Sequence, residues 1–170
     1  MRIGVCTTDF DRAMPADELF SLVKQLGFTC VQLAFSSVSE CGFSVSDHIE
    51  IPGEVSPEAI AAILSASEKY GVKIVAVNGT FNMAHSDPAV RAEGLRRFDG
   101  FLKAVKAVGC PLASLCSGSR SARGLWTYDP ATALPEAWDD MQATMRAAVA
   151  MAEKYGIVLA IETEASNVID

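Results

Sequence analysis

One hydrophobic and polar pattern recurs along the chain: a stretch of helical period ends at a glycine, and a short apolar run follows at once. It appears as QLGFTCVQLAF, KYGVKIVAVNG, AVGCPLASLCSG and KYGIVLAIETE, with the glycines at Gly27, Gly71, Gly109 and Gly156. Separations of 44, 38 and 47 residues leave room each time for one helix, one strand and two loops. Glycine suits the left-handed residue that closes a helix, so the repeat reads as a series of βα units.

The pattern predicts strands over Arg2 to Cys6, Thr29 to Phe35, Val72 to Val77, Leu112 to Cys116 and Ile157 to Ile161. Helices are predicted over Pro15 to Leu26, from Ser56 as N-cap with Pro57 in the first turn, from Asp87 and Pro88 toward Val108, and over Pro135 to Tyr155. The second helix is expected to bury Ile60, Ile63, Leu64 and Tyr70, and the third Leu95, Phe98, Leu102 and Val105. The fourth would bury Trp138, Met141, Met145, Val149 and Ala152. Gly94 and Gly100, inside the third helix, each cost roughly 1 kcal/mol against alanine, and close packing is the expected reason for them.

Strands alternating with helices imply a parallel sheet, either open and doubly wound or part of a (β/α)8 barrel. Long segments begin at Ser36, Asn78 and Ser117, each after a strand, whereas the turns from helix to strand are short. Elaboration therefore gathers at the carboxyl ends of the strands, where both architectures keep their sites. Gln32, Asn78, Ser114 and Glu162 would be costly among helix side chains but can meet in a barrel lumen. No GxGxxG follows the first strand and there is no Walker loop, which also favours the barrel.

With 170 residues, half of them hydrophobic, the chain is long enough for one substantial core, and 1–170 reads as a single domain. A net charge of -7 weighs against binding nucleic acid, whose recognition draws on Lys and Arg. No apolar run is long enough to cross a membrane and the start of the chain lacks signal-peptide architecture, so a soluble cytoplasmic protein is expected. Five cysteines without a CxxC pair read as small core residues in a reducing compartment.

The last apolar run ends in Glu162 and Glu164, which an extended strand sends to the same side. Around it, GTFNMAHSDPAVRAEGL (79–95), SLCSGSR (114–120), PEAWDDM (135–141) and IETEASNVID (161–170) resemble the sugar phosphate isomerase/epimerase proteins of the xylose isomerase-like barrel superfamily. The resemblance implies a TIM-type (β/α)8 barrel that holds a divalent metal (manganese, magnesium, cobalt or zinc) at the carboxyl ends of its later strands. It makes Glu162 the first metal ligand and a catalytic residue, to be joined by an aspartate, a histidine and a glutamate from strands six to eight. The implied chemistry is interconversion of a small sugar or sugar phosphate through an enediolate.

A full barrel takes about 250 residues, so five βα units of eight are expected here: an incomplete barrel, its N-terminal portion. Alternatively, the chain is an inactive half-barrel that associates through its strand edges as a homo-oligomer. The related apurinic endonuclease chemistry would call for more than two histidines and a basic face.

Among the other polar residues, His85 either meets the substrate as a catalytic group or caps the third helix. Arg120 either binds a phosphate or carboxylate, with backbone amides beside it, or faces outward. Trp126 either walls the sugar site or packs on the rim, and Glu164 either contacts substrate or is a solvated loop acid. Gln32 and Asn78 are placed among the substrate contacts. His48 reads as an exposed loop histidine.

Overall fold

The computed structural model describes residues 3–169. Arg2, in the first predicted strand, and Asp170, the last residue of the final motif, lie outside the described residues. Five strands, β1 (Val5–Cys6), β2 (Cys30–Leu33), β3 (Lys73–Asn78), β4 (Leu112–Cys116) and β5 (Val158–Glu162), alternate with four helices. The helices are α1 (Ala16–Gln25), α2 (Pro57–Tyr70), α3 (Pro88–Ala107) and α4 (Pro135–Tyr155).

All strand pairs are parallel and their order in the sheet is β1-β2-β3-β4-β5. This order has no reversal point, so the doubly wound alternative is excluded and the sheet forms part of a barrel wall. Among the described residues, β1 pairs only with β2 and β5 only with β4.

Local chemistry sets the helix limits. Ser56 Oγ accepts from the Ala59 amide at 3.1 Å and Asp87 Oδ1 from the Ala89 amide at 2.8 Å, each cap contributing about 1 kcal/mol. The four joint glycines all have positive φ, from 62° at Gly71 to 87° at Gly27. Each αβ joint is therefore short and fixed.

One buried cluster joins the sheet to the helices: Val31, Leu33, Val77 and Leu115 belong to it with Phe20, Ile63, Phe98 and Phe101. Phe98 stacks on Phe101, with ring centroids 5.4 Å apart, and Phe35 meets Phe101 edge-on. Both internal glycines of α3 lie where a side chain has no room. A Cβ on Gly94 would sit 2.2 Å from Phe81 Cδ2, and one on Gly100 would sit 1.8 Å from the Gly53 carbonyl oxygen.

Two predicted stripes are corrected. On α4, Met141 and Ala152 are buried as expected, but Trp138 and Val149 are exposed, and Ala137, Thr144 and Ala148 are buried in their place. On α2, Leu64 is exposed while Ala59, Ile63 and Ala66 are buried. Small residues let these helices lie close to the layer beneath, and the larger side chains are left on the flanks.

The segment between β2 and α2 is more structured than its Ser/Gly-rich composition suggests. Ile49 bridges antiparallel to Phe81, the Glu50 amide donates to the Thr80 carbonyl at 3.0 Å, and the Leu125 amide donates to the Asp47 carbonyl at 2.9 Å. Residues 46–50 are thereby tied to the loops after both β3 and β4. These three loops form the rim of the sheet at its carboxyl end.

Candidate functional site

At that end lies an open cleft of about 590 Å³. Such a volume admits a small sugar. Gln32, Asn78, Cys116, Glu162 and Glu164 line its floor, with Glu50 and Trp126 among the residues of its rim.

Strand register brings the floor together. Cys116 is the partner of Glu162 across the β4/β5 pair, and Asn78 of Ser114 across β3/β4, so these side chains share the lumen face. Gln32 reaches across from β2 and gives both amide protons, one to Ser114 Oγ at 2.9 Å and one to Glu162 Oε1 at 2.8 Å. A carboxylate gripped by a side-chain amide has a fixed direction. Glu162 is held at the mouth.

Glu164 is positioned by the chain folding back on itself. Its amide donates to the Ile169 carbonyl, Val168 donates to the Gly118 carbonyl, and Asn167 accepts from the Gly118 amide at 2.7 Å. The turn includes Ser166 at φ 78°, the one described non-glycine residue with positive φ. As a result Sγ of Cys116 and one carboxylate oxygen each from Glu162 and Glu164 lie within 4.8 Å of one another. Two carboxylates and a thiol so close together form a donor set that suits a divalent cation.

Burial, reinforced by the charges of Glu162, Glu164 and Glu50, pushes the Cys116 thiol up to about 12, against a weaker opposing effect of Thr80. Across the rim, Trp126 Nε1 donates to Glu50 Oε1 at 2.7 Å. Burial raises Glu50 above the ordinary carboxylate range, and the indole donor pulls it part of the way back. Trp126→Phe is therefore expected to raise the Glu50 carboxyl further, which a carboxyl-carbon NMR titration reads directly. The sign for stability follows from the raised folded value. Ionised Glu50 costs nothing below its unfolded value of about 4.3, and stability declines as pH climbs from there through the raised one. The substitution should deepen that decline.

Two expected site residues are not brought to the cleft. Arg120 is nearly buried and its guanidinium donates to Asp140 at 2.8 Å, while Arg91 holds the other oxygen of the same carboxylate at 3.0 Å. A guanidinium removed from water needs such a counter-charge, and here α4 supplies it. His85 accepts from the Asp87 amide through Nδ1 at 3.0 Å and packs edge-on against His48, with centroids 4.5 Å apart. Burial and the neighbouring His48 lower its pKa, and the ring sits just before the start of α3. His48 is not a free loop histidine, since its Nδ1 lies 3.3 Å from Asn82 Nδ2.

Three contributors escaped the sequence reading. Glu50 stands between buried Ile49 and Ile51, an alternation that marks a short extended piece and a polar residue aimed the other way. Cys116 is buried, as a small core residue is expected to be, and also borders the cleft. Asn167, also buried, gives its amide to the Leu125 carbonyl at 2.9 Å and so links the loops after β4 and β5.

Among solved structures, the chain is similar to 3-keto-D-glucoside 4-epimerase from E. coli, with a TM-score of 0.67 and 18% identity. That match covers 96% of this chain and 56% of the epimerase. D-psicose 3-epimerase with D-tagatose from Clostridium cellulolyticum H10 gives a TM-score of 0.66 at 17% identity, over 96% of this chain and 52% of that one. A xylose isomerase-like TIM barrel protein from Mycobacterium smegmatis in complex with magnesium gives 0.67 at 14% identity, over 99% and 56%. At these identities the likeness concerns the fold, and the chain spans about half the length of these structures. No curated protein matches the chain in sequence, and no helix among the described residues is long and apolar enough to cross a membrane. The sequence profile of the xylose isomerase-like TIM barrel matches residues 20–170, and the chain belongs to that family.

Proposed function

We propose that these residues are the N-terminal portion of a metal-dependent sugar isomerase or epimerase, which moves a proton at the carbon beside a carbonyl through an enediolate. The observation that carries this reading is the carboxylate of Glu162, held by Gln32 at the end of β5 and facing the cleft. Glu162 would hold the divalent ion together with donors from the remainder of the barrel. A bound divalent ion supplies electrostatic stabilisation for negative charge that grows on the substrate oxygens.

The other residues act on the sugar. Asn78 uses Oδ1 to accept from the Thr80 hydroxyl at 2.6 Å and from the Thr80 amide at 3.2 Å, which leaves its Nδ2 to donate to a substrate hydroxyl. Trp126, half exposed and anchored through Glu50, offers an apolar face to the C–H side of a sugar ring. Glu164 accepts from a hydroxyl or joins Glu162 at the ion. With Arg120 committed to Asp140, the one basic side chain lining the cleft among the described residues is Arg12, itself paired with Glu18 at 2.6 Å. That balance favours a neutral sugar over a sugar phosphate.

The test uses the full-length protein with cobalt(II) and D-tagatose in deuterated water. Deuterium should enter the sugar at the carbon beside its carbonyl. A sugar recovered without deuterium under all metal conditions would remove the proton-transfer reading.

A further inference from the structure

We propose that Cys116 is a metal ligand in this cleft, beside Glu162 and Glu164, and that the centre consequently prefers a thiophilic divalent ion, zinc or cobalt, over magnesium or manganese. The proposal rests on the reading of Glu162 as a ligand and goes beyond it in naming a sulfur donor and a metal class.

Geometry comes first. Cys116 and Glu162 are register partners on adjacent parallel strands, and the return of the chain over 164–169 sets Glu164 beside them. Atoms sharing one ion at about 2.0 to 2.3 Å lie about 3 to 4 Å apart. The present separations are all within 4.8 Å, and side-chain rotation brings them into that range.

The sulfur also borders the cleft and is only weakly held. Cys116 is only 3% exposed, yet it lines the cleft. Thr80 Oγ1 donates to Sγ at 3.7 Å, a long contact. Thr80 has one hydroxyl proton, shared between Asn78 Oδ1 at 2.6 Å and the sulfur, so the sulfur holds one long contact and keeps a lone pair for another partner. Among the other cysteines, Cys6 pairs with Thr8 at 2.9 Å and Cys110 points at the Leu112 carbonyl at 3.4 Å.

A buried thiol usually serves as a small hydrophobe among aliphatic side chains. Cys116 instead has carboxylates for neighbours, with Glu162, Glu164 and Glu50 all close enough to act on it electrostatically. A cation is what makes such an arrangement favourable. Binding would exchange the S–H bond for a sulfur–metal bond, with the proton released to the buffer and no change of oxidation state. A soft sulfur donor then shifts selectivity toward zinc and cobalt, whereas carboxylates alone suit magnesium and manganese.

Cobalt(II) titrated into the full-length protein and followed by absorption tests this directly. A thiolate-to-cobalt charge-transfer band in the near ultraviolet is expected, with one proton released, and excess magnesium should not remove it. Cys116→Ser should abolish the band and weaken cobalt binding at least about tenfold, while Cys6→Ser should keep both. Should Cys116→Ser not fold, the band in the unsubstituted chain still decides. Cobalt binding that lacks this band and is lost in Glu162→Gln would overturn the sulfur ligand and leave Glu162 in place. An absence of cobalt binding to the full-length protein would overturn this proposal together with the reading of Glu162 as a ligand.

Discussion

Glu162→Gln in the full-length protein should abolish bound divalent metal, from about one ion per chain to a trace, and cut deuterium entry into D-tagatose at least 100-fold or so. Glutamine keeps the volume and an acceptor oxygen for the Gln32 amide, which now donates to Glu162 Oε1 at 2.8 Å. Only the charge is lost. Stability should therefore change little, and a folded but metal-free variant is the expected outcome. Metal content measured by mass spectrometry, set beside a thermal melt, separates the two effects.

Gly100→Ala is expected to destabilise the chain by about 3 kcal/mol, opposite in sign to what helix propensity alone predicts. Inside a helix, alanine in place of glycine gains roughly 1 kcal/mol. Here the new Cβ would sit 1.8 Å from the Gly53 carbonyl oxygen, a backbone atom that no rotamer change can move aside. Either α3 or the segment before α2 must shift, and the neighbouring Phe101 belongs to the buried aromatic stack. Urea denaturation reads the sign: a variant as stable as the parent would mean that this contact is looser than a 1.8 Å approach.

Much of the fold was legible because it is fixed by local chemistry. The glycine joints, the Ser56 and Asp87 caps and the apolar runs each depend on residues within a turn or two, and they placed α2, α4 and β4 to within a residue. Strand periodicity also put Glu162 on the face where it lies. What stayed hidden depends on partners distant in the chain. Arg120 was drawn to the cleft by its motif, but Asp140 on α4, 20 residues on, takes its guanidinium. His85 was balanced between two roles until His48, from a different loop, packed against it. Trp138 fell on the apolar stripe of α4, yet which arc of a helix faces inward is decided by its neighbours. Glu50 and Trp126 meet across 76 residues, and only the stitching of the rim loops brings them together.

The central claim is that Glu162 holds a divalent ion at the mouth of the barrel. Anomalous diffraction from cobalt(II)-loaded crystals of the full-length protein tests it most directly. The account predicts one strong peak within bonding distance, about 2 Å, of a Glu162 carboxylate oxygen. A peak confined to exposed acids such as Asp9 and Asp11, with none at Glu162, would contradict it.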